Sequence, residues 1–416
     1  MEDGGEKSLR PMTVLDRTAH SLTVAGDEAM VARESLADRA TVAQLSGRSC
    51  GPRVVIDLEK LRHINCGLGR FSLHLGREIL KESKGHFTPV LLFPKGVQQY
   101  FPGESFEHIQ TAPWKKEGVQ RVMRRFVQPF LPKSGIALWH MTNQMSRYLP
   151  FDGRVPVVLT IHDLNFMHEA PHDEQLRSVD RKLAEIQKKI NRATAIVTDS
   201  DYVAGDVRSQ LNLGGRRVYV VPLGLPEPPM AAVSRPVFLP AGPFLLSIGN
   251  ALAHKNFHVL FELIEKLSGQ RLVVAGKKAT PYGEYLQREI SRRQLGDRVI
   301  LPGEVSDGDR QWLYQHCEAF LFPSLSEGFG FPVLEAMQCG KPVFMSRKTS
   351  LPEIAGGNGF YFEAFDATSM ASAYWSGMGQ FHADQEYGAR AKAHAATFSW
   401  TATARRYAQI YREILG

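Results

Sequence analysis

The chain contains no apolar run approaching the roughly 20 residues that span a bilayer, and its N-terminus lacks the basic-then-apolar order of a secretory leader. We therefore expect a cytoplasmic protein, peripheral at most on the inner face of the cytoplasmic membrane. Cysteine is scarce. Cys50, Cys66, Cys317 and Cys339 lie far apart and form no CxxC pair, which excludes a thiolate zinc module and predicts reduced thiols. No metal-ligand cluster stands out. Asp199-Ser200-Asp201 and Asp307-Gly308-Asp309 match DxD by letter, but each reads more simply as the start of a helix, so no metal is expected. No GxGxxG follows a first strand with an acid at the right distance, which disfavours a nicotinamide oxidoreductase. The net charge of +7 is moderate. It suits anionic substrates or an anionic membrane surface, and no nucleic-acid motif accompanies it.

What is present is an alternation of short apolar runs and helical stretches. The 416 residues allow two domains of ordinary size. Residues 1–50, poor in aromatics, read as a loosely ordered tail or the product of a mis-set start codon. From Arg53 the pattern changes. Val54-Val55-Ile56, Val90 to Phe93, Ala137 to Trp139, Val157 to Ile161, Ala195 to Thr198 and Val218 to Val221 predict buried strands, with helices between them. These make a first Rossmann-like domain over 51–225. Prolines crowd from Pro222 to Pro240, too densely for a helix or an inner strand, and predict a linker over 226–240. A second alternating set fills 241–400, and Thr401 to Leu415 has helical spacing. The expected fold class is α/β, with two doubly wound halves facing a cleft, where ligands bind beyond the carboxyl ends of the strands.

Ser-Leu-Ser-Glu-Gly-Phe-Gly-Phe-Pro-Val-Leu-Glu-Ala carries Glu327 and Glu335 eight positions apart. Gly328, Phe329 and Gly330 predict a loop, Pro332 suits a first helical turn, and Gly340 suits its end. Glu327 then precedes a helix N-terminus and Glu335 lies one turn inside it. A carboxylate beside the anion-attracting amides of a helix start suits a ligand bearing both phosphates and hydroxyls. The plainer reading is a capped helix with a solvated Glu335. Ser247 to Asn256 reads as strand, loop and helix start, with Gly249 allowing close approach, Lys255 supplying charge and Asn256 capping the next helix; a solvated helix start is the alternative. His162-Asp163 closes a strand, where a polar pair faces the cleft, although a lone histidine is commonly structural. Gly67, Gly69 and Arg70 form a glycine loop or a simple tight turn. Arg70 could hold a phosphate or pair with an acid of its own domain.

Glu327 to Glu335, with Phe322-Pro323-Ser324 and Gly340-Lys341-Pro342-Val343, resembles the donor-site signature of family 4 retaining glycosyltransferases. The resemblance covers roughly 53–416 and implies the GT-B fold, with the final helix crossing back to brace the first domain. It implies that His162 and Glu327 are catalytic. His162 would contact the donor sugar, partly through its backbone carbonyl, and Glu327 would bind sugar hydroxyls and support the cationic transition state. Donor-binding roles are implied for Gly67, Gly69, Arg70, Gly249, Asn250, Lys255, Asn256, Val305, Gly328, Phe329, Gly330, Phe331 and Glu335. Glu335 would hold the nucleotide ribose, and the loop Leu301 to Asp307, with Val305, the base. His254 and Asn250 depart from the family's basic loop, leaving Lys255 to neutralise more of the diphosphate. Asn65 to Arg70 and Ile161 to Phe166 are similar to bacterial mannosyltransferases of polysaccharide assembly. This suggests GDP-mannose as donor, with UDP-sugars as the alternative, and a lipopolysaccharide core or lipid-linked glycan as acceptor. No cofactor beyond the nucleotide sugar is implied.

Two rivals from other classes remain, a sugar-nucleotide epimerase of the same fold and a non-catalytic sugar-nucleotide binder. A glycosidase pairing of Glu327 with Glu335 is unattractive, because a phosphate site lies between them. Pro113 to Lys133 has helically spaced apolar residues flanked by Lys115, Lys116, Arg121, Arg124, Arg125 and Lys133. Such a segment either lies on an anionic membrane or packs on the core with a solvated basic face.

Overall fold

A computed structural model of the chain describes residues 51–64, 66–103, 105–111, 135–167, 173–226 and 234–416. The expected tail over 1–50, the basic segment within 113–133 and the middle of the proline-rich stretch lie outside the described residues.

The first sheet contains β1 (Arg53–Asp57), β2 (Thr88–Phe93), β3 (Glu107–Gln110), β4 (Ile136–Met141), β5 (Val157–Ile161), β6 (Ala195–Thr198) and β7 (Arg217–Val220). Its order is β3-β2-β1-β4-β5-β6-β7, and every pairing is parallel. Val54, Val55 and Ile56 of β1 are fully buried, as an unbroken apolar run in a central parallel strand must be. The second sheet contains β8 (Leu245–Ile248), β9 (Leu272–Ala275), β10 (Val299–Gly303), β11 (Phe320–Phe322), β12 (Val343–Ser346) and β13 (Phe360–Phe362). Its order is β10-β9-β8-β11-β12-β13, again parallel throughout. In each sheet the order runs one way from the first strand and then reverses. The switch falls between β1 and β4 in the first and between β8 and β11 in the second, the places where such sheets bind ligands.

The helices that frame these edges are α1 (Gly67–Glu82), α2 (Asp201–Gln210), α3 (Val259–Lys266), α4 (Asp307–His316), α5 (Phe331–Gln338), α6 (Leu351–Ala355) and α7 (Trp400–Leu415). Gly67 and Gly69 do not form the expected loop. They are the first turn of α1, where Cys66 is the N-cap and its sulfur accepts the Gly69 N–H. Glycine is required at 69 because a Cβ there would lie 2.1 Å from the His63 carbonyl oxygen. Nor does Asn256 cap the helix that follows; it ends the short 3-10 turn Ala253–Lys255. It is left-handed at φ 58°, its amide donates to the Pro323 carbonyl, and α3 starts only at Val259.

Helix α7 lies against α1 and the first sheet. Thr401 and Arg405 bond Glu78 and Glu82 of α1 at 2.9 Å each. Tyr407 and Tyr411 reach the buried Thr160 and His140 at 2.9 and 2.6 Å. A single apolar cluster runs from Val54 and Phe71 through Tyr407 and Trp400 to Phe329, Leu334 and Phe244. The C-terminal helix is thus continuous with the cores under both sheets.

Candidate functional site

Lys255 and Glu327 meet at the switch point of the second sheet. Lys255 lies in the loop after β8 and Glu327 in the loop after β11. The Lys255 ammonium donates to Glu327 Oε1 at 2.5 Å, and the two side chains retain only 13% and 12% of their exposure. The same ammonium lies 5.2 Å from the centre of the Phe322 ring. Beyond Glu327 the chain turns through Gly328, Phe329 and Gly330, the last at φ 125°, a conformation suited to glycine. Helix α5 then begins at Phe331 with no side-chain cap; Pro332 has no N–H and the Val333 N–H donates to the Gly330 carbonyl at 3.0 Å, which leaves the Phe331 N–H as the amide that can face an anion.

The first sheet supplies the facing wall. A Cβ on Gly328 would lie 2.2 Å from the His162 carbonyl oxygen, so that carbonyl abuts the loop carrying Glu327. The His162 ring is fully engaged behind it. Nδ1 lies 2.6 Å from Asp199 Oδ2 and Nε2 lies 2.8 Å from the Thr142 carbonyl. A carbonyl only accepts, so Nε2 carries hydrogen. Burial works against charge on this ring, but the Asp199 carboxylate and the Thr142 carbonyl outweigh it and raise its pKa above the ordinary histidine value. Burial likewise raises Asp199, with His162 opposing. The ring nitrogens therefore build the wall, and the carbonyl is the polar atom of His162 beside the donor loop. Gln144 steadies that strand end, accepting from the His162 N–H and donating to the Asp163 carbonyl. At the switch point of this sheet Asp57 is fully buried, and its carboxyl is pushed up to about 7, chiefly by burial; Ser146 and the Glu59 N–H bond it.

Glu335 sits on α5 with Tyr314 O–H donating to Oε2 at 2.8 Å and Arg310 3.4 Å from Oε1. It is not solvated. Arg310 also approaches Asp307, which pairs with Arg70 at 2.9 Å. Arg70 therefore pairs with an acid beneath the second sheet rather than one of its own half. Asn250 is exposed, Val305 is half-buried against the core, and Gly249 closes β8 with its N–H on the Ala275 carbonyl. Phe329 packs on Phe398, and Phe331 packs on Phe329 and Trp400. The structure thus gathers Lys255, Glu327, Gly328 and His162 in one place and Arg70 and Glu335 in a second, joined by α5. Both DxD matches are otherwise engaged, through Asp199 on His162 and Asp307 on two arginines.

Sequence reasoning missed the partners. Arg310 and Tyr314 are four apart, one helical face toward Glu335, a spacing open to detection. Asp199 follows β6 directly, as His162 follows β5, and that strand-end position was the available signal. Thr142 gave none, nor did Thr349 and Ser350, whose hydroxyls bond the Glu327 N–H and carbonyl.

Two parallel sheets with this cleft and this C-terminal crossing define the GT-B fold. Sucrose-phosphate synthase from Thermosynechococcus elongatus superposes with a TM-score of 0.64 at 17% identity, over 87% of this chain and 98% of that one. Residues 236–376 match the family described as glycosyl transferases group 1. Among curated relatives, O-antigen chain mannosyltransferase B of Escherichia coli is 27% identical over 58% of this chain and 66% of its own length. The serotype-specific mannosyltransferase WbdA of Escherichia coli is 35% identical over 39% of this chain. The chain spans 20% of that relative's length.

Proposed function

We propose that this chain is a retaining, metal-independent glycosyltransferase. It moves mannose from GDP-mannose to a glycan or lipid-linked acceptor in bacterial surface polysaccharide assembly. The observation that carries this reading is the Lys255–Glu327 contact at the head of α5, against the His162 carbonyl. Lys255 and the Phe331 N–H at the head of α5 bind the diphosphate and stabilise it as it departs. Glu327, released from Lys255 by that diphosphate, accepts sugar hydroxyls. The His162 carbonyl and the Glu327 carboxylate oppose the positive charge that develops on the sugar ring. Glu335, held by Tyr314 and Arg310, binds the ribose. The acceptor oxygen attacks the anomeric carbon on the face the diphosphate leaves. The bond to phosphate breaks, the new glycosidic bond forms, and the acceptor proton passes to the departing phosphate oxygen. Engagement of Asp199 and Asp307, the first aspartate of each DxD match, by protein partners supports a metal-free site, and the names of the two relatives support mannose.

Melting the protein with GDP, UDP, ADP, GDP-mannose and UDP-glucose in EDTA tests the donor, because ligands of the folded state raise its stability. We expect shifts with GDP and GDP-mannose alone, and NMR of a transferred product to report the donor's anomeric configuration. A uridine-only shift would overturn the mannose donor. Release of a free or isomerised sugar without acceptor would overturn transfer itself.

A further inference from the structure

Thr349 stands in a backbone conformation that threonine avoids. Its φ is 52°, and a β-branched residue with positive φ is a genuine outlier that persists only where its surroundings enforce it. The other described non-glycine residues with positive φ are Asn256 and Gln294, neither of them β-branched. The conformation turns the Thr349 hydroxyl onto the candidate site, where Oγ1 accepts the Glu327 N–H at 3.1 Å. The next residue completes the grip. The fully buried Ser350 hydroxyl lies 2.9 Å from the Glu327 carbonyl oxygen and 2.7 Å from that of Phe329. Consecutive side chains after β12 therefore take both backbone polar groups of Glu327. Among the described residues, the Glu327 N–H makes no backbone–backbone hydrogen bond that would set its direction instead.

We propose that Thr349 is a positioning residue for transfer, holding the Glu327 backbone so that its carboxylate is fixed beside Lys255 before donor arrives. This rests on the proposed reading of Glu327 as the sugar-binding carboxylate. A reacting group displaced by about 1 Å loses about a hundredfold in rate, so a strained residue here acts on turnover rather than on donor affinity.

Three variants separate the hydroxyl from the strain. Thr349→Ser keeps the hydroxyl, Thr349→Val keeps the shape without it, and Thr349→Gly removes both the hydroxyl and the strain. With GDP-mannose, Thr349→Ser is expected within about threefold of wild-type kcat. Thr349→Val and Thr349→Gly are expected to lose about tenfold or more in kcat, with donor KM within about twofold. Thr349→Gly is also expected to melt at or above the wild-type temperature, a gain in stability alongside a loss of rate that a merely structural residue would not give. Hydrogen exchange of the segment 324–331, measured without substrate, is expected to quicken in the Val and Gly variants and not in Ser. Unchanged exchange and kcat in Thr349→Gly, or an equal loss in Thr349→Ser, would overturn the assignment. Should wild type fail to use GDP-mannose, the donor reading falls while the exchange experiment still decides whether Thr349 holds Glu327. Should Thr349→Val not fold, the Gly and Ser pair carries the test alone.

Discussion

Lys255 and Glu327 neutralise one another in a setting that has lost most of its water, so removing either leaves the other as a poorly solvated charge aimed at the donor. Glu327→Ala and Lys255→Ala are each expected to lower kcat by about a hundredfold or more, the range for deleting one preorganised electrostatic group. Circular dichroism should still show a folded chain. The double variant is expected to be little worse than the worse single one, because residues acting as a unit lose their function together. Wild-type turnover in either single variant, or full additivity in the double, would remove the pair from the mechanism. At this scale the sequence revealed residue types better than their bonds. Glu327, Lys255 and His162 are legible because each follows an apolar run at a strand's carboxyl end. That a ring nitrogen bonds a particular acceptor is not legible, even where, as at Asp199, the strand-end position is. His162 spends both nitrogens on Asp199 and Thr142, residues 37 and 20 positions distant in sequence, which no local pattern links to it.

Strands were legible where their runs are wholly apolar. β1, β5 and β8 are buried along nearly all of their length, and a parallel sheet covered on both faces demands such runs. β3 was missed because its half-exposed edge sequence, Glu-His-Ile-Gln, has no apolar run. The start of α1 was misread because glycine normally breaks helices; tertiary packing overrode that propensity when the His63 carbonyl left no room for a Cβ at 69. Two other glycines show how far element context decides such cases. Gly205 lies within α2 with nothing within 4 Å of a built Cβ, whereas a Cβ on the buried Gly224 would stand 2.1 Å from the Trp400 nitrogen at the head of α7. Gly205→Ala should therefore stabilise by about 0.5–1 kcal/mol through lower unfolded-chain entropy. Gly224→Ala should destabilise by more than that, because the backbone of α7 must move away. Urea melts of the two variants compare them directly. A stable Gly224→Ala would mean that α7 is seated more loosely than its contacts indicate.

Across the whole molecule the two sheets are joined by several polar links. Arg70–Asp307 is an ion pair with side chains 30% and 68% exposed, and such pairs contribute about 0–1 kcal/mol. Ser200 Oγ donates to the Gly328 carbonyl at 2.9 Å and Ser326 Oγ to Asn165 Oδ1 at 2.5 Å. The Glu353 carboxylate on α6 accepts the Asp201 and Tyr202 N–H groups at 2.8 and 3.1 Å, which places a negative charge from one half at the start of α2 in the other. Charge and helix dipole reinforce one another there, at about 0.3–1 kcal/mol for an exposed terminus. Because α6 follows Thr349 and Ser350 directly, this link is covalently continuous with the residues that hold Glu327. Opening at Glu353 should therefore be felt at the donor loop more than opening at Arg70, which reaches α5 only through side-chain contacts by way of Asp307, Arg310 and Glu335. Glu353→Ala is expected to increase the radius of gyration in solution scattering without nucleotide and to recover the wild-type value when GDP fills the cleft. Arg70→Ala should leave that radius unchanged. Larger expansion in Arg70→Ala than in Glu353→Ala would assign the closure to the surface ion pair. Because α7 is buried against the cores of both halves, neither variant is expected to separate them; the cleft widens about the C-terminal helix.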